Sequence, residues 1–381
     1  MPEYDKLLDC ELSTNRYLDI NSLDKNAFEE FSNLKALKLK FNNLIKIDLE
    51  RLINLKELFL EKKGQVTRSD ECLNIFLPKG LEKLKIIRFG LSLFDLFHIR
   101  NLNHLELIFP DRISISANNT KPYNDFKNLK NLKLYFKNCG INDSEIKEIQ
   151  FGPETLEILD FYCEDLETRF LASFSNLVSL RKLKLDSPCI DLVSFKNLSS
   201  LEDLDINLSK LKENEIKSLF KNLSKLKKLK FISRNNLDKD ILKHLSNLEY
   251  LNMFDCELGN NDLPLLENSP KLTYLNLSFN NFDKLESTMF RGLKALEELD
   301  ISYNSKSLEI ISKGTFNGLN KLIRLNLCWS GIKKMNINSF EGLVNLEDLN
   351  LSHNLLKDIT IGTFDFIKNL RHLDLCKFFL I

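Results

Sequence analysis

The stretch Leu34-Lys-Ala-Leu37-Lys-Leu39-Lys-Phe-Asn42-Asn-Leu44 has the form LxxLxLxxNxL, and its recurrence decides how the chain is read. It returns as Leu272, Leu275, Leu277, Asn280 and Phe282, and again as Leu346, Leu349, Leu351, Asn354 and Leu356. Between these copies the same frame fits with its first leucine at 55, 81, 102, 129, 156, 180, 201, 226, 248, 296 and 322. A degenerate copy opens the chain (Leu7, Cys10, Leu12, Asn15), and another closes it (Leu370, Leu373, Leu375). Residues 1–381 therefore read as a single run of 16 repeats, with 363 residues from Leu7 to Leu370 over 15 intervals, a mean near 24. All 48 positions of the LxxLxL core are apolar in a chain that is 43% apolar, so the repeat is real.

The spacing dictates the structure. In LxLxx the apolar residues alternate with polar ones, the period-2 pattern of a strand with one buried face. One strand of this length cannot bury its leucines alone. Copies stacked side by side make a parallel sheet with the leucines inside, and each repeat becomes one coil of a solenoid. The amide of the Asn after the strand both donates and accepts, so it satisfies backbone groups of the turn inside the coil. Six residues before the first Leu stands Phe28, Phe174, Phe195, Phe220, Phe290, Phe316, Phe340 or Phe364. Three residues later comes Phe31, Leu177, Leu198, Leu223, Leu293, Leu319, Leu343 or Ile367, and this second column fills the convex half of the core.

The phrases STMFRGLKALEELDISYN, KGTFNGLNKLIRLNL, NSFEGLVNLEDLNLSHN and GTFDFIKNLRHLDL in the C-terminal third resemble the typical leucine-rich repeats of about 24 residues. That resemblance extends over the chain. It implies an α/β solenoid of the horseshoe kind, with a concave parallel sheet and short helical or irregular convex segments. It also implies non-catalytic macromolecular recognition, as in Toll-like receptor ectodomains and related extracellular proteins. Asn keeps its place only at Asn15, Asn42, Asn280, Asn304 and Asn354, with Cys256 as a substitute, and the intervals range from 21 to 27 residues. Such irregular central repeats are closer to Toll-like ectodomains than to uniform cytosolic arrays. The extracellular relatives are usually capped by cysteine clusters, whereas the eight cysteines here are scattered. The last residues, 377–381, fall in mid-repeat, which reads as a fragment. The opening MPEYDKLLDC has no basic start or apolar run of a signal peptide, and no apolar stretch is long enough to span a membrane. A chain complete as given is instead an intracellular scaffold or adaptor.

The balance of 54 Lys+Arg against 54 Asp+Glu argues against nucleic acid, since a phosphate-binding surface carries a basic excess. No CxxC or HxxxH spacing marks a metal site, and His98, His104, His244, His353 and His372 are far apart. No nucleophile elbow, Gly-rich phosphate loop or Cys–His pattern marks an enzyme, so catalytic residues, metal and cofactors are expected to be absent. The partner expected is a protein, or a glycan or lipid-bearing ligand.

The binding residues are expected where the strands face solvent, at the third, fifth, seventh and eighth positions of the frame. The last two positions carry Phe41, Phe109, Tyr135, Phe136, Tyr162, Phe254, Phe279, Tyr303, Trp329 and His353, and the third carries Tyr274. The fifth carries Lys38, Lys85, Lys133, Lys184 and Lys230 in some repeats and Glu106, Asp160, Asp205, Asp300 and Asp374 in others. Exposed aromatic residues make interface hot spots, and charges of both signs orient a mixed-charge partner. The expected set is Tyr135, Phe136, Tyr162, Lys184, Lys230, Phe254, Tyr274, Phe279, Asp300, Tyr303, Trp329 and His353. An aromatic residue just before the turn Asn also packs on the next coil, so Phe279, Tyr303 and His353 carry a structural reading beside the binding one.

Overall fold

The computed structural model describes residues 8–11, 22–23, 26, 28, 30–41, 46–62, 74–88, 99–109, 126–136, 148–150, 153–163, 171–186, 193–234, 237, 240–260, 262, 266, 269–304 and 308–376. The chain divides into two units, Met1–Ser200 and Leu201–Ile381. Each is a β-solenoid of stacked parallel strands with little helix.

In the N-terminal unit the strands are Leu8–Glu11, Ala36–Phe41, Glu57–Lys62, Lys83–Ile87, His104–Ile108, Asn131–Phe136, Ile158–Cys163 and Lys182–Asp186. Each pairs with the next in parallel, and the second repeat leucines lie in register: Leu37, Leu58, Leu84, Leu105, Leu132, Leu159 and Leu183. The C-terminal unit has Asp203–Asn207, Lys228–Ile232, Tyr250–Asn252, Tyr274–Asn276, Glu298–Asp300, Arg324–Asn326, Asp348–Asn350 and His372–Asp374. There Leu204, Leu229, Leu251, Leu275, Leu299, Leu325, Leu349 and Leu373 match across the ladder. The register follows from the frame, because a slip of one residue would turn every leucine toward water. All first leucines from Leu55 to Leu346 are buried, each removal from water contributing roughly 1.5–3 kcal/mol before entropy is counted. At the last described coil Leu373 is exposed.

The convex return is made of turns rather than the short helices expected. Leu293 N–H donates to Phe290 C=O and Leu296 N–H to Leu293 C=O, and the same pair of turns recurs at 316/319/322, 340/343/346 and 364/367/370. A spacing of three drives Phe, Leu and Leu inward in succession. Gly318 and Gly342 carry φ of +93° and +95° beside these turns, a conformation that costs a side chain strain. Phe290, Phe316, Phe340 and Phe364 stack ring on ring 5.9–6.3 Å apart, forming a spine. Phe31 departs from its column and is exposed. Among the described residues the one α-helix is Glu213–Phe220. It buries Ile216, Leu219 and Phe220, and the Glu215 carboxylate accepts the Lys212 N–H at 2.7 Å.

Two expected solvent-facing residues belong to the core. Phe136 is 4% exposed and Phe41 is buried as well. Their strands run six residues, so the in–out alternation carries on through the eighth position and turns it inward.

Candidate recognition face

From the strand Tyr250–Asn252 onward the coils end their strands differently. The fifth-position side chain accepts the N–H of the seventh residue: Asn252 from Phe254, Asn276 from Ser278, Asp300 from Ser302, Asn326 from Cys328, Asn350 from Ser352 and Asp374 from Cys376. This is an Asx turn, and it stops the strand after three residues. The ninth-position Asn then holds the turn from inside. Asn354 Oδ1 accepts from Ser330 N–H (3.1 Å) and Ile332 N–H (3.0 Å), while its Nδ2 donates to the Leu327 and Leu351 carbonyls, both at 2.8 Å. Asn280 does the same toward Cys256, Leu258, Met253 and Leu277. The donating and accepting amide expected from the repeat is thus what the coil uses. Where Ser330 or Cys256 stands instead, the side chain donates to the Ile301 or Phe231 carbonyl of the preceding coil.

Between these two anchors the eighth residue is forced into the left-handed region: Phe279 at φ +57°, Tyr303 at +56°, Trp329 at +52° and His353 at +57°. That conformation aims the side chain outward. Phe279, Tyr303 and Trp329 are 45%, 40% and 43% exposed. Their rings stack across coils: Phe279–Tyr303 at 4.4 Å, Tyr303–Trp329 at 5.9 Å and Trp329–His353 at 4.4 Å between centroids. Phe254, on the seventh position of its coil, extends the ladder at 4.8 Å from Phe279. Each stacked pair contributes about 0.5–1.5 kcal/mol. A left-handed non-glycine residue costs about 1–2 kcal/mol. The two nearly cancel, so the exposed ladder adds little to stability.

Beside the ladder lies a shallow depression of about 330 Å³ on the strand face, lined by third- and fifth-position residues. Its polar groups include Glu298, Asp300, Arg324, Asp348, His372 and Asp374. Arg324 hydrogen-bonds Glu298, and His372 Nδ1 lies 2.5 Å from Asp348 Oδ1. Asp300 is committed to the fold: Oδ1 accepts from Ser302 N–H and Oγ, and Oδ2 from Asn326 Nδ2. The Cys376 N–H holds the Asp374 carboxyl below the usual carboxylate range. Tyr274, stacked on Tyr250 at 4.3 Å, has its phenol pushed up to about 12, first by burial and then by Tyr250.

The other expected residues are brought together elsewhere or not at all. In the N-terminal unit Tyr135 and Tyr162 stack at 6.3 Å, and the Tyr135 hydroxyl donates to Asp160 at 2.5 Å. Burial, then that bond, raises the Tyr135 phenol well above its ordinary range. Lys184 is exposed opposite Asp160, and Lys230 sits 3.1 Å from Asp205. Lys85 pairs with Glu106 at 2.9 Å; a hydrogen bond from His104, opposed by burial, holds the Glu106 carboxyl at about 2. The fifth-position charges thus answer one another across neighbouring strands. Tyr250, Glu298, Arg324, Asp348 and His372 were missed as a group, although the frame already turned the third position outward.

Two leucine-rich-repeat families match the chain. The profile described as leucine rich repeat matches residues 270–332 and 322–376, and that of the BspA type leucine rich repeat region matches 171–258. Human (Homo sapiens) lumican is 31% identical over 151 residues, covering 38% of this chain and 42% of that protein. CD180 antigen of Mus musculus is 28% identical over 319 residues, covering 79% of this chain and 46% of its own length. The chain thus spans less than half the length of these curated relatives. Among solved structures, a Leptospira interrogans LRR protein superposes with a TM-score of 0.57 at 20% identity, covering 93% of this chain and 87% of that one. The mouse RP105/MD-1 complex gives 0.52 at 21% identity, covering 98% and 74%. With its repeat, strand register and Asn-held turns all in agreement with these matches, the chain belongs to the leucine-rich-repeat family.

Proposed function

We propose that the chain is a non-catalytic recognition module that binds a protein on the strand face of its C-terminal unit, as part of an extracellular receptor-like protein. The stacked ladder Phe254–Phe279–Tyr303–Trp329–His353 carries this reading. Rings held out of the core in a strained backbone, at no net gain in stability, are the kind of rigid apolar surface that dominates interface energetics. The likeness to CD180 antigen over most of the chain supports the receptor-like setting, and a solved relative of this fold is held in a complex with MD-1. Residues 1–381 serve in this reading as one solenoid whose N-terminal unit carries the mutually paired charges.

The test is binding of the whole chain to an array of secreted and cell-surface proteins, with Tyr303→Asn/Trp329→Asn beside it. Asn removes the ring yet tolerates a left-handed backbone, so the coil stays intact. The expected result is a partner lost by that variant and kept by Ile361→Ser, an exposed apolar site on the return segment. A partner kept by both variants defeats the face, and selective capture of RNA in place of protein defeats the partner class.

A further inference from the structure

The depression beside the ladder differs from the rest of the strand faces in its charge. In the N-terminal unit, fifth-position charges meet their opposites in register: Lys85 against Glu106, Glu106 against Lys133, Lys133 against Asp160 and Asp160 against Lys184. Around the depression four carboxylates (Glu298, Asp300, Asp348, Asp374) face one arginine, Arg324. With His372 neutral, three net negative charges remain. Two of the carboxylates have exposed partners, since the side chains of Arg324 and His372 are 48% and 80% exposed. Such pairs exchange easily for an incoming cation. On each coil the ring lies three residues beyond the fifth position, as in Asp300 and Tyr303, so an acidic slot and an apolar rail run side by side across the strands.

We propose that this slot takes a basic segment of the protein partner, a Lys or Arg side chain lying among Glu298, Asp348 and Asp374 while its apolar neighbours pack along Tyr303 and Trp329. Charge complementarity names the occupant. An acidic or glycan segment would leave the slot's charge unanswered, whereas a guanidinium or ammonium meets several carboxylates at once. The inference rests on the recognition reading above and specifies its partner.

Trp329 is the only tryptophan of the chain, so its emission reports occupancy of the rail directly. The probes are two capped peptides without tryptophan, FRLKF and its acidic counterpart FELEF, titrated into the whole chain at low ionic strength. FRLKF is expected to give a saturable change that fades as salt is added, and FELEF none. The Glu298→Gln/Asp348→Asn variant leaves one net negative charge and is expected to bind FRLKF at least about tenfold more weakly. Equal response to the two peptides, no response to either, or undiminished binding by the variant overturns the proposal. A protein partner lost on removing the rings but retained by the charge variant also overturns it, and leaves the recognition reading standing. A partner indifferent to the rings removes that reading itself.

Discussion

The eighth residue of the repeat has opposite fates in two regions of the molecule. In the N-terminal coils it points inward: Phe41, Phe136 and Cys163 lie at the ends of six-residue strands and are buried. In the last coils of the C-terminal unit, Phe279, Tyr303, Trp329 and His353 hold the same position, follow three-residue strands, and face out. The side chains are of one kind, so their chemistry does not decide. What decides is whether the backbone stays extended past the seventh residue. An Asx side chain at the fifth position and an amide at the ninth end the strand, and the residue between them must turn left-handed. The same aromatic content then makes core in one region and a binding surface in the other.

The sharpest way to break this comparison is to remove one ring from each region. Phe136→Ala deletes a buried ring stacked on Phe109 at 4.5 Å and edge-on to Phe161, and is expected to cost about 3–5 kcal/mol in chemical denaturation. A loss below about 1 kcal/mol would mean that the strand does not carry Phe136 into the core.

That residue also marks where the sequence stopped being legible. The repeat, the strand register and the buried leucines were open to reading because a period of about 24 residues with fixed apolar positions admits no other stacking. The length of each strand was not, because LxLxx is the same in both regions. The distinguishing signal was present but lay outside the apolar frame: Asn276-Leu-Ser278, Asp300-Ile-Ser302 and Asn350-Leu-Ser352 place an acceptor two residues before the N–H it caps. Lys38, Phe59, Lys85, Glu106 and Lys133 at the same position are not Asx residues. The ladder's members were named from sequence, whereas its stacking and the acidic slot came from juxtaposing third- and fifth-position residues of different coils. The convex helices failed for a related reason: Phe, Leu and Leu three apart suit a pair of single turns as well as a helix, and the return is too short to prefer the latter.

The turn amide is the second lever. Asn354→Ala orphans two buried N–H groups and two carbonyls, each worth about 1–3 kcal/mol if unanswered, so a loss of about 3 kcal/mol is expected. Cys256 and Ser330 already stand at this position and only donate, which gives the control: Ser330→Ala should cost distinctly less than Asn354→Ala. Equal losses in hydrogen-exchange or denaturation measurements would show that the amide is not what closes the coil.

A smaller effect separates the charge arrangements. The Glu106 carboxyl is held at about 2 against an ordinary 4.5, by His104 and then Lys85. Its folded value is depressed, so its contribution is present above pH 4.5 and is lost as pH falls toward 2. Glu106→Gln is expected to be less stable than the parent at pH 6 and nearly equal to it at pH 2 in urea titrations. A gap that persists unchanged at pH 2 would assign the loss to packing rather than charge.

The smallest expected change is the most informative. Trp329→Asn gives up the stacks on Tyr303 and His353 but places a residue that accepts the left-handed backbone, so stability should shift by less than about 1 kcal/mol in either direction. Set against the several kcal/mol expected at Phe136, this near-neutrality is what distinguishes a ring kept for an outside partner from one kept for the fold. If Trp329→Asn instead destabilises the C-terminal unit as strongly as Phe136→Ala does the N-terminal one, the ladder is core that happens to be exposed. The two regions would then differ in geometry alone, and the recognition face would have to be sought among other solvent-facing strand residues.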